Sequence, residues 1–181
     1  QSEQDSLGKA QAIYDAGNFP AALPYFIELQ KNHPDEMYLK YATGVCGLYR
    51  SDMHEKSLEW LTLTYANNKK AKNIEYDLAR AQHYNYEFDD ALANLDLFLK
   101  RRDIQDVEKK EAALLKDFCN SGKSLTLKPT DAKITNLGSA VNTPYSENGP
   151  IITSDESTLM FTYNGPASTG GRRTDSGVAD S

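Results

Sequence analysis

The sequence predicts an all-α array of three helix pairs closed by a seventh, capping helix, followed by a short β-hairpin segment. One helical-hairpin pattern recurs at a spacing of 34 to 35 residues. It reads Ala10, Tyr14, Gly17, Phe19, Ala22, Phe26 and Pro34, then Gly44, Cys46, Met53, Ser57 and Leu61, then Ala79, Ala81, Phe88, Ala91 and Leu95. Small residues recur where paired helices approach closely, and large apolar ones fill the gaps between pairs, so the period belongs to the packing unit. Beyond the third pair, Val107, Ala112, Leu114, Leu115 and Phe118 continue the helical spacing. After Gly122 the composition turns to serine, threonine, glycine, proline and asparagine, and the period stops.

Taken in order, the spacing predicts helices at about residues 4 to 16, 19 to 32, 36 to 50, 54 to 66, 71 to 85 and 88 to 101. Asn18, Asp52 and Asp103 precede apolar-periodic runs and are predicted N-caps. A seventh helix over residues 104 to 121 is expected to cover the last apolar face, with Gly122 ending it. Three short runs rich in β-formers follow: Ile134 to Leu137, Pro150 to Thr153 and Thr158 to Tyr163. Turns are expected at Asn148-Gly149-Pro150 and at Ser154-Asp155-Glu156-Ser157, with the last two runs forming a hairpin. A hairpin alone is marginal in water and needs further strands or a helical surface.

The helical pattern resembles the tetratricopeptide repeat, most closely in the first copy, where Gly17, Phe19, Ala22 and the closing Pro34 stand. The second copy has Ser51 at the usual turn glycine and one extra residue before Ser57; the third has Tyr86 there. A further stretch is similar to the opening blade of a TolB-like, WD-type β-propeller. It comprises Ile134-Thr135-Asn136-Leu137-Gly138, Asn142, Tyr145-Ser146-Glu147, Pro150, Ser154 to Leu159 and Phe161-Thr162, with Ser168-Thr169-Gly170-Gly171 as the following loop. That order resembles periplasmic envelope proteins of Bacteroidota, in which a tetratricopeptide array, a propeller and an OmpA-like peptidoglycan-binding domain follow one another. The resemblance implies a helical domain at 1–122, a linker at 123–133 and the first strands of an incomplete propeller at 134–181. It also implies association with an outer-membrane complex, including type IX secretion, with peptidoglycan reached only through a domain outside this chain.

Composition narrows the partners. A formal charge of −6 and a pI near 5.1 argue against nucleic acid, which needs a clustered basic surface. The densest basic patch, Lys69, Lys70 and Lys72, reads as a solvated loop. No apolar run approaches the roughly 18 to 20 residues that span a bilayer. Cys46 occupies a small-residue helix position and reads as an apolar filler, and a bridge to Cys119 on a distant helix is not expected. A chain starting at Gln1 is either a cut piece or a secreted protein after signal-peptide removal, and export is the expectation; the envelope resemblance implies a periplasmic location.

Catalytic chemistry finds little support, so no enzyme activity and no cofactor are expected. His33, His54 and His83 lack metal-ligand spacing, and no Gly-x-Ser-x-Gly elbow occurs. Ser121-Gly122-Lys123-Ser124 lacks the earlier glycine of a phosphate loop and reads as a helix stop. Asp89-Asp90 favours the positive end of a helix dipole. Gly170-Gly171-Arg172-Arg173 reads as a flexible connection.

The tetratricopeptide resemblance implies a concave face lined by the first helix of each pair. That face would hold Gln11, Tyr38, Tyr41, Val45, Tyr49, Asn73, Tyr76, Arg80, His83 and Tyr84. Tyrosine offers contact area at small entropic cost together with a hydroxyl, which suits an extended segment or a helix. Tyr41, Tyr76 and Arg80 are the leading candidates, Arg80 as a carboxylate binder. The alternative is that these tyrosines pack between neighbouring pairs. The expected function is a non-enzymatic scaffold docking onto an outer-membrane protein complex; the alternative is a periplasmic receptor for peptide or glycan. An adaptor for a chaperone tail would need several basic groove residues, and only Arg80 is offered.

Overall fold

The computed structural model describes residues 3–68, 71–143 and 145–165, and the chain divides into two compact units, Gln1–Pro129 and Thr130–Ser181. Among the described residues the first unit holds seven α-helices: α1 Glu3–Asp15, α2 Phe19–Asn32, α3 Met37–Gly47, α4 His54–Asn67, α5 Ile74–Tyr84, α6 Phe88–Leu99 and α7 Asp106–Thr126. Each packs on the next in sequence, and α7 also reaches α5. Their apolar faces form three clusters in chain order, around Phe26 and Leu23, around Leu61 and Ile74, and around Leu95 and Phe98. Small residues sit at the close approaches. A Cβ added at Gly44 would lie 3.0 Å from the Leu61 side chain.

The first turn forms as its residues predict. Gly17 adopts φ +78°, and the Asn18 side chain accepts the Ala21 N–H at 3.3 Å, with Pro20 in the opening turn of α2. The second turn differs. Helix α3 stops at Gly47, and a 3₁₀ turn at Ser51–Met53 takes up the extra residue before α4. Asp52 therefore lies inside that turn and pairs with Arg50 at 2.5 Å instead of capping α4. In the third turn Tyr86 itself takes φ +64°, and its N–H bonds the His83 carbonyl, so the left-handed turn is kept without glycine.

Helix α7 departs most from expectation. Its N-cap is Gln105, in a reciprocal capping box with Glu108, while the expected cap Asp103 pairs with Arg101. Gly122 does not end the helix, which runs on to Thr126 and occupies the first residues of the expected 123–133 linker. The reason is packing: a Cβ at Gly122 would lie 2.7 Å from the Phe88 ring. The glycine admits a close crossing of α6 and α7, with its two chain neighbours also helical, so neither a stop nor a phosphate loop exists there. Substitution Gly122→Val is expected to lower unfolding free energy by about 1–3 kcal/mol, because the buried Phe88 ring, already against His83 and Tyr86, must shift to admit the side chain. Urea denaturation checks this, and an unchanged midpoint would show that α7 can shift away from α6.

The second unit contains one antiparallel hairpin among the described residues, β1 Ser146–Ile152 and β2 Leu159–Asn164, with Ile152 opposite Leu159 and Glu147 opposite Tyr163. Asn148-Gly149-Pro150 is not a turn. It forms an irregularity within β1, where Gly149 takes φ +59° and the register shifts between Asn148 and Ile151. The connecting turn forms at Ser154 to Ser157, held by Asp155, whose Oδ1 accepts from Thr153 Oγ1 at 2.5 Å and from the Ser157 N–H at 3.2 Å. Ile134 to Leu137 is not a strand: among the described residues no strand pairs with it, and Ile134 is 96% exposed. The expected loop at Ser168 to Gly171, with Arg172 and Arg173, and the basic patch residues Lys69 and Lys70 lie outside the described residues.

Candidate partner-binding groove

Helix α5 supplies the centre of the site. Its buried face, Ile74, Leu78 and Ala81, carries a carboxylate, Asp77, in the same row. Tyr41 of α3 reaches across to it, donating to Asp77 Oδ2 at 2.6 Å and lying 3.0 Å from the Lys72 carbonyl. Tyr14 of α1 lies close enough to Tyr41 to interact with it electrostatically, so polar groups from three helices meet here. Burial pushes both phenols well above their ordinary range, with the Asp77 charge adding to it. Asp77 is pushed up to about 6 by burial, against the opposing effects of the Tyr41 hydrogen bond and the nearby Arg80 guanidinium.

Arg80, one turn further along α5, lies 3.8 Å from Asp77 and 5.0 Å above the centroid of the Tyr49 ring. Tyr49 in turn stacks on Phe19 at 4.9 Å. On its other side Arg80 lines a cavity of about 410 Å³, walled by Tyr76, His83 and Tyr84 of α5 and by Glu111, Leu114, Leu115 and Phe118 of α7. Leu114 and Phe118 are 53% and 51% exposed. His83 sits against Cys119 at 3.5 Å and is held below its usual pKa by burial.

The predicted groove residues thus separate. Tyr76, Arg80, His83 and Tyr84 share one cavity, and Tyr49 supports Arg80 from behind. Tyr41 is spent internally, so its role is the inter-pair packing weighed as the alternative. Tyr38 lines a different cavity of about 370 Å³ with Leu7, Leu29 and His33. Gln11 bonds Asp15 on its own helix at 2.7 Å. Asn73 takes φ +62° just before α5 and makes no side-chain cap bond, while Val45 is buried in the middle cluster.

Comparison with family models, with curated proteins and with solved structures gives no match. What the groove binds must therefore follow from its own side chains. The contribution of α7 was missed because the helix was read as a simple cap. Ala112, Leu115 and Cys119 of α7 are buried, whereas Val107, Leu114 and Phe118 are exposed. The signal was available: Val107, Leu114, Phe118 and Leu125 follow three- and four-residue multiples and form a second stripe beside the buried one. Asp77 was equally legible as an acid amid an apolar row. The two cysteines are free and lie in separate clusters, and burial pushes the Cys46 thiol up to about 12. No group of three metal-ligating side chains occurs among the described residues. No helix of the described residues is long and apolar enough to cross a membrane.

Proposed function

We propose that this chain is a non-enzymatic protein-interaction scaffold of the bacterial envelope. In this reading α1 to α6 form a tetratricopeptide-like array of three pairs, α7 closes it, and the hairpin opens an incomplete TolB-like propeller. The array docks onto an outer-membrane protein complex from the periplasmic side, with type IX secretion as the leading association. The observation that supports docking through the groove is the apolar wall of α7, where Leu114 and Phe118 stand exposed opposite Tyr76 and Tyr84. Exposed apolar side chains grouped beside aromatic ones favour association, since a helix serving only as a cap presents polar residues outward.

The test is affinity purification of the full-length protein from detergent-solubilised envelopes, with Leu114→Glu/Phe118→Glu alongside. Stoichiometric recovery of an outer-membrane β-barrel protein is expected, and the double variant should lose at least about tenfold of it while unfolding at the same temperature. Recovery of a solitary protein would overturn the scaffold and favour a receptor for peptide or glycan.

A further inference from the structure

The charged centre of the groove holds more than packing requires. Asp77 is 7% exposed, and its two oxygens face different partners, Tyr41 at 2.6 Å and Arg80 at 3.8 Å. The longer separation is outside hydrogen-bond range, so Arg80 is attracted to Asp77 without being clamped by it. Its guanidinium rests on the Tyr49 ring and also forms part of the cavity wall. Arg80 thus stands between an internal carboxylate and a site large enough for one aromatic side chain.

Resting on the groove reading above, we propose that Asp77 gates Arg80. While ionised it offsets the guanidinium charge, and on protonation it frees that charge to hold a partner carboxylate carried beside an aromatic side chain. Charge complementarity to Arg80 and the apolar wall of Leu114 and Phe118 select this occupant. A carboxylate bound near Arg80 also lies close to Asp77, so each negative charge weakens the other, and the coupling is reciprocal.

The groups facing Asp77 assign the titration. Tyr14 and Tyr41, from α1 and α3, stay protonated, as does Tyr76 on α5, because burial raises all three. Tyr49, in the turn after α3, supports Arg80, and Glu111 of α7 stands across the cavity. His83 is the other group on this wall able to change charge near neutrality, and it contacts Cys119, not Asp77. A His83→Gln variant separates the two.

The test titrates the full chain with 3-phenylpropionate, which remains largely ionised throughout, between about pH 7.5 and 5.5. Affinity is expected to rise about fivefold or more as pH falls, and to keep that dependence in His83→Gln. Asp77→Asn should bind tightly at both pH values, and Arg80→Gln at neither. Tyr41→Phe removes the hydrogen bond that favours the ionised carboxylate, so its midpoint should move to higher pH, a displacement that a purely structural role would not produce. Wild-type affinity that is flat with pH, or no binding by Asp77→Asn, would overturn the gate. If the gate behaves as stated while Leu114→Glu/Phe118→Glu leaves partner recovery intact, docking of the scaffold through this groove fails and the gate stands.

Discussion

Truncation of Phe26 to alanine is expected to cost about 3–5 kcal/mol, the largest loss from a single substitution in the helical unit. Phe26 is fully buried, meets the Tyr14 ring edge-on at 5.8 Å and the Tyr38 ring at 6.3 Å, and so joins α1, α2 and α3. The void cannot close by a small shift. The cluster around it sets the short side chains Ala10, Ala22 and Ala42 beside Leu23, Leu29 and Leu39, so collapse into the void would be only partial. Denaturant unfolding should show the loss, and thermal unfolding a fall of roughly 10–20 °C. Because each helix packs on its sequence neighbours, the damage should concentrate in α1 to α3. Hydrogen exchange should therefore accelerate there and leave α6 and α7 protected. A cost below about 1 kcal/mol would mean that the first hairpin is already loosely packed.

Replacement Asp77→Asn is expected to raise stability at pH 7 and to abolish one component of its pH dependence. The folded-state pKa of about 6 lies above the ordinary 3.8, so the folded chain binds more protons than the unfolded one between these values. Stability therefore rises as pH falls through about 6 towards 4, and the cost of ionising Asp77 is present in full above that window. That cost is on the order of 3 kcal/mol at most, and asparagine recovers it less whatever pairing with Arg80 is lost. His83 acts in the opposite sense: its lowered pKa makes stability fall as pH drops. Comparing wild type and variant cancels the histidine. Urea unfolding at pH 7 and pH 5 decides the matter, and parallel stability curves for the two proteins would show that Asp77 is ionised at no cost.

The helix pairs were legible because their signal is local. Period, N-cap and turn glycine at Asn18 and Gly17 can be read from a few adjacent residues, and the hairpin of β1 and β2 likewise follows from two short β-rich runs and an Asp155-centred turn. Errors arose where a side-chain contact, from another helix or from two residues away, overrides the local signal. Gly122 looks like a helix stop until the Phe88 ring is placed against it, and Asp52 and Asp103 look like caps until Arg50 and Arg101 claim them.

The groove divides along the same line. From the sequence by itself came the tyrosine-rich faces, the single arginine among them and the order of the helices, since spacing fixes which residues share a face. Only tertiary structure decided which tyrosines remain available: Tyr41 turns inward to a buried carboxylate, while Tyr76 and Tyr84 stand at a cavity whose far wall is α7. The physical reason is that burying a charge demands partners from elsewhere in the chain. Asp77 lies 36 residues from Tyr41, a separation across which no sequence period specifies a contact.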